Sequence, residues 1–132
     1  ARTTEMFWLR RVLVVDDEPV LRMLVSRGFR ERGYEIVEAA DGMAALKVAQ
    51  ASPAPFDLVV TNSRMPHING PQLVEALRQL DPKLPIIHLS GSHGSDSTSK
   101  ALPPDIPTLF KPFHMEDLLA EAEKLMEKRD AP

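Results

Sequence analysis

Cysteine is absent from the 132 residues, which excludes disulfides, thiolate nucleophiles and thiolate metal sites. That absence fits a reducing compartment, with the cytoplasm the simplest expectation. A basic excess is absent too: 16 Lys and Arg face 19 Asp and Glu, a net charge of −3. Direct binding to a nucleic-acid backbone is therefore not expected. No apolar run approaches the length of a membrane span, and the opening ARTTEMFWLR lacks both an extended apolar region and a small-residue cleavage site. Neither insertion nor secretion is expected. Internal repeats and interdomain linkers are also missing. What is present is 43% hydrophobic residues, enough for one domain of this length to bury a core without staples.

The apolar residues alternate between two patterns. Arg11 to Val15 is a short β-branched run that suits a strand covered on both faces. After Pro19, Leu21, Leu24, Val25 and Phe29 trace a helical stripe that Gly33 ends. Tyr34 to Ala39 reads as a second strand, and Asp41-Gly42 opens an alanine-rich helix that stops before Pro53. Leu58 to Thr61 is a third strand, Pro71 sits in the first turn of a helix carrying Leu73, Val74, Leu77 and Leu80, and Ile86 to Leu89 is a fourth strand. Gly91 to Lys100 is almost free of apolar residues, so a short or poorly ordered helix is expected before Pro103-Pro104. Thr108 to Phe110 is a short fifth strand. The last helix carries a stripe of Met115, Leu118, Leu119, Ala122, Leu125 and Met126.

Five strands alternating with helices predict a doubly wound parallel α/β sheet of the flavodoxin-like (βα)5 kind. The expected organisation is an extension over 1–10, one domain over 11–129 and a tail over 130–132. In such sheets function gathers outside the carboxyl ends of the strands. Those ends carry Asp16-Asp17, Thr61-Asn62-Ser63-Arg64-Met65-Pro66, Ser90-Gly91 and Lys111-Pro112. Acids, an amide, a hydroxyl and an amine thus converge. A flavin binder is disfavoured, because the loop after the first strand is acidic and lacks the glycine or Ser/Thr run that receives a phosphate.

Taken together, DDE after the first strand, DLVVTNSRMP with its later NG, LSG after the fourth and KPF after the fifth resemble a response-regulator receiver domain over residues 11 to about 129. The chain is similar to receivers attached to hybrid histidine kinases. The resemblance implies a Mg2+ site in which Asp17 binds directly and Asp16 mainly through water. The side chain at position 62 and the carbonyl of Arg64 would complete it. It also implies that position 62 accepts a phosphoryl group, that Lys111 and Ser90 play the catalytic part of stabilising the transferred oxygens, and that Lys111-Pro112 is cis. The implied partner is a sensor histidine kinase or another protein domain, with at most a weak homodimer. No membrane or direct nucleic-acid partner is implied.

The sequence departs from that pattern at two places. Position 62 is Asn, and a neutral carboxamide cannot act as a carboxylate nucleophile. The loss of one acid also leaves Mg2+ weakly held or absent. Two origins stay open: a natural receiver that takes no phosphoryl group and works as an interaction module, or an engineered Asp→Asn change in a phosphorylatable one. Neither makes the chain an enzyme; at most an Asn62→Asp form would phosphorylate itself. The second departure is Thr108, where the family places an aromatic that couples to the hydroxyl after the fourth strand. His67, His88, His93 and His114 lack ligand spacing and read as ordinary surface or strand histidines. Trp8 reads as packing against the fold.

Overall fold

The computed structural model describes residues 9–52, 54–91 and 102–130. Along the chain these form β1 (Arg11–Val15), α1 (Pro19–Arg30), β2 (Glu35–Ala39), α2 (Gly42–Ala51), β3 (Leu58–Asn62), α3 (Gly70–Leu80), β4 (Ile86–Ser90), β5 (Thr108–Phe110) and α4 (Met115–Asp130). The five strands pair in parallel in the order β2-β1-β3-β4-β5, the doubly wound flavodoxin-like arrangement. The helix expected between 91 and 103, and Trp8, lie outside the described residues.

Local chemistry explains the boundaries. Asp41 accepts the Ala44 N–H at 2.8 Å and so opens α2. Asn69 and Gln72 form a reciprocal capping box, with Pro71 in the first turn, and so start α3. The turn that follows α1 closes at Gly33, whose φ of +89° lets the Tyr34 N–H reach back to the Phe29 carbonyl. β3 and β4 each run one residue beyond expectation, to Asn62 and Ser90. The ladder explains this: Asn62 pairs with Leu89, and the Ser63 N–H still donates to the Leu89 carbonyl at 2.9 Å.

The sheet splits the core in two. Val12, Val14, Val60 and Leu89 meet Val25 and Phe29 of α1 and Leu118, Leu119, Ala122 and Met126 of α4. On the other face Leu13, Val15 and Val59 meet Ala45 of α2 and Leu73, Val74 and Leu77 of α3. Each of these larger side chains contributes roughly 1.5–3 kcal/mol by leaving water. Two expectations fail here: Leu80, at the end of the α3 stripe, is 52% exposed, and Leu24 of α1 is exposed as well. Leu24 does not join the core stripe of α1 but is 47% exposed, beside Val20 and Met23 at 66% and 54%. The buried line runs instead through Val25, Ser26 and Phe29, so the helix is rotated to aim an apolar strip outward.

Candidate functional site

Strand order reverses between β1 and β3, since β2 lies to one side of β1 and β3 to the other. This switch point is where an open α/β sheet has a crevice. The Val15↔Thr61 register delivers Asp16, Asp17 and Asn62 to it together. Lys111 arrives from the end of β5, its N–H donating to the Ser90 carbonyl at 2.8 Å. The Lys111-Pro112 bond that follows is cis.

The cluster is a bonded network centred on Asn62, which is 8% exposed. Lys111 Nζ donates to Asn62 Oδ1 at 2.7 Å. From the other end of the amide, Nδ2 donates to the Arg64 carbonyl at 2.9 Å and to Asp17 Oδ1 at 3.3 Å. The partners fix this orientation, because an ammonium only donates and a carbonyl or carboxylate only accepts. Asp16 is buried; its Oδ1 accepts the Glu18 N–H at 2.9 Å. Its Oδ2 has no hydrogen-bond partner among the described residues, and Lys111 Nζ stands 3.9 Å away. Burial therefore pushes the Asp16 carboxyl above its ordinary range, with Asp17 and Glu18 adding to the rise. The Glu18 N–H and Lys111 oppose it.

Two neighbours shape the floor. Gly70 begins α3 against the end of β3, its N–H bonded to the Ser63 carbonyl at 2.8 Å. A Cβ there would lie 2.8 Å from the Asn62 carbonyl and 3.1 Å from the His88 ring, so only glycine allows the approach. His88, expected as an ordinary surface or strand histidine, is the strand kind and fully buried, with Nδ1 3.2 Å from Thr108 Oγ1. A ring thus stands on β4 beside the small residue on β5. The Thr61↔His88↔Thr108 register was the signal for it, readable only once the strands were aligned.

Asp16, Asp17, Asn62, the Arg64 carbonyl and Lys111 are therefore one contiguous cluster, while Ser90 is buried at the end of β4 and joined to Lys111 through the main chain. The fit of a divalent cation can be tested on this geometry. Among the described residues no three His, Asp or Glu side chains come close enough to share a metal. Between Asp17 Oδ1 and the Arg64 carbonyl, moreover, stands a hydrogen-bond donor. The residues as arranged do not fit the ion.

Beside the cluster lies an apolar groove of about 510 Å3 between α1 and the start of α4. Val20, Leu21, Leu24, Phe113 and Met115 line it, and Glu18 and Lys111 mark its end at the cluster.

Residues 12–123 match the family model described as the response regulator receiver domain. The chain is 34% identical over 131 residues to the sensor kinase CckA of Brucella abortus, covering 98% of this chain but 14% of that kinase. It is 30% identical to the response regulator receiver protein CpdR of the same organism, covering 89% of this chain and 98% of CpdR. Among solved structures, the receiver domain of the hybrid histidine kinase CckA superposes with a TM-score of 0.75 at 31% identity, covering 88% and 98% of the two chains. A response regulator receiver protein from Sinorhizobium medicae gives 0.85 at 26% identity, covering 94% and 99%. Among the described residues no helix is long and apolar enough to cross a membrane.

Proposed function

The chain belongs to the response-regulator receiver family, and from that premise we propose that it is a two-component receiver that signals by docking and takes up no phosphoryl group. The observation that carries the proposal is Asn62 at the end of β3, where the family's chemistry needs a carboxylate. An amide has no oxygen nucleophile to offer. This one is also bound at both ends, its oxygen to Lys111 and its nitrogen to Arg64 and Asp17. In this reading Asp16, Asp17 and Lys111 hold the amide in place rather than prepare a reaction. Residues 11–129 would act as one domain, and the chain would not be an enzyme.

The apolar strip of Val20, Met23 and Leu24 supports the docking half of the proposal, because isolated soluble domains bury such clusters against partners. The partner would be a sensor histidine kinase or another domain of the same pathway, meeting α1 beside the amide cluster.

A second reading has its own support. Lys111 Nζ stands 2.7 Å from the side chain at position 62, and Ser90 is buried on the adjoining strand, so the groups that would stabilise a transferring phosphoryl are retained. An Asp there would then complete a phosphorylatable receiver. One experiment separates the two readings from failure of both: offer acetyl phosphate to the unaltered chain and to Asn62→Asp, with and without Mg2+, and weigh the intact proteins. The unaltered chain should gain nothing, while Asn62→Asp should gain one phosphoryl group only with Mg2+. A phosphoryl adduct on the unaltered chain that peptide mapping assigns to this pocket would sink the docking-only reading.

A further inference from the structure

We propose that the Asn62 side-chain nitrogen replaces the divalent cation, so that the pocket holds its closed arrangement without metal. The proposal rests on the receiver reading of this pocket. It goes beyond the loss of a nucleophile, because it assigns the amide an active structural task.

The chemistry of the two ends of the amide carries the argument. A receiver-type metal would be gripped by Asp17 and by the carbonyl of residue 64, both pure acceptors. In this chain those same two oxygens converge on Asn62 Nδ2, at 3.3 Å and 2.9 Å. An NH2 group with two donor hydrogens and partial positive charge can satisfy both at once. The opposite end, Oδ1, takes the Lys111 ammonium at 2.7 Å. One side chain therefore joins the acceptor side and the donor side of the pocket, which a carboxylate cannot do without a cation between itself and Asp17.

The amide also resists displacement. To serve as an oxygen ligand it would have to turn over, which would aim Nδ2 at the Lys111 ammonium and Oδ1 at two acceptors. Every contact would then be donor to donor or acceptor to acceptor. Asn62 is 8% exposed, and both ends of its amide are already bonded in the present orientation. Asn62 is thus a competitor of the metal and not a weak ligand of it.

The two roles predict opposite outcomes for Asn62→Ala, measured by calorimetric titration of the 132-residue chain with Mg2+. If the amide competes, removing it frees the Asp17 and Arg64 oxygens, and Mg2+ binds the Ala variant at least about tenfold more tightly than the unaltered chain. If the amide is a ligand, removing it weakens binding. An unaltered chain that binds Mg2+ as tightly as Asn62→Ala, or more tightly, overturns the proposal. Should the Ala variant fail to fold, Mn2+ broadening of side-chain NH2 signals in the unaltered chain decides instead. The Asn62 NH2 pair should stay sharp at Mn2+ concentrations that broaden the Asp17 backbone amide of Asn62→Asp, and its broadening overturns the proposal. Neither readout involves phosphoryl uptake, so failure here is distinguishable from failure of the docking reading.

Discussion

The two ends of the sheet handle charge in opposite ways. At the amino end of the strands, cations and acids meet in complete pairs. Arg11 binds Glu35 at 2.7 Å and stacks over Phe56, Arg78 binds Asp105 at 2.8 Å and the Leu84 carbonyl at 2.9 Å, and Arg129 binds Asp81 at 2.7 Å. At the carboxyl end the Lys111 ammonium bonds the Asn62 amide and stands 3.9 Å from Asp16, whose buried Oδ2 lacks a hydrogen bond among the described residues. The finished end ties β1 to β2 and the helices α3 and α4 to the loops that precede the strands. The unfinished end tolerates local cost, as functional sites do.

That contrast can be broken in both directions. The largest effect on folding should come from Gly70→Ala, because the added Cβ meets the Asn62 carbonyl and the buried His88 ring, neither of which can move away. A loss of about 1–3 kcal/mol is expected from such overpacking, with shifted Asn62 NH2 resonances. Urea unfolding and an amide spectrum check this, and an unperturbed pocket would mean that the close approach is not required. Next comes Arg78→Ala, which leaves the Leu84 carbonyl without its guanidinium donor and Asp105 unpaired. About 1–2 kcal/mol should go, with the Asn62 resonances unmoved, since the two ends would be independent. A shift at Asn62 would show that they are coupled.

The smallest effect concerns pH. Burial raises the Asp16 pKa above its unfolded value of about 3.9, so the folded chain holds that proton more readily than the unfolded one. The resulting stability is fully present below the unfolded pKa and is lost as pH rises through the folded pKa. Above the folded pKa the ionised, buried Asp16 is therefore a burden. Asn at position 16 keeps an oxygen for the Glu18 N–H, so Asp16→Asn should melt higher than the unaltered chain at about pH 7, the gap closing as pH falls towards about 4. A gap that widened in acid would reverse the assigned sign.

Much of this was legible in the sequence, for physical reasons. Short runs rich in β-branched residues, such as Val12 to Val15, suit covered strands, and a doubly wound sheet must bring its strand ends together. Asp16, Asp17, Asn62 and Lys111 could therefore be placed at one site before any coordinates. Leu24 was misplaced because an i, i+3, i+4 pattern permits more than one helix rotation, and packing of Val25, Ser26 and Phe29 chose among them. His88 was passed over because its burial depends on Gly70 and Thr108, which lie 18 and 20 residues away in sequence. Asn62 was recognised as a lost acid. Its service as a donor became visible only with the Arg64 carbonyl in place.

The ladder bond from the Ser63 N–H to the Leu89 carbonyl has a consequence for how the protein ages. Asparagine converts to aspartate or isoaspartate when the following backbone nitrogen attacks the side-chain carbonyl carbon, closes a succinimide and expels ammonia; water then opens the ring at either carbonyl. Here that nitrogen is committed to the sheet, and the carbonyl oxygen is held by Lys111. Closing the ring requires the Ser63 N–H to leave the Leu89 carbonyl first. Position 62 is therefore expected to keep its amide while that bond holds, with spontaneous conversion to an acid confined to molecules in which it has opened.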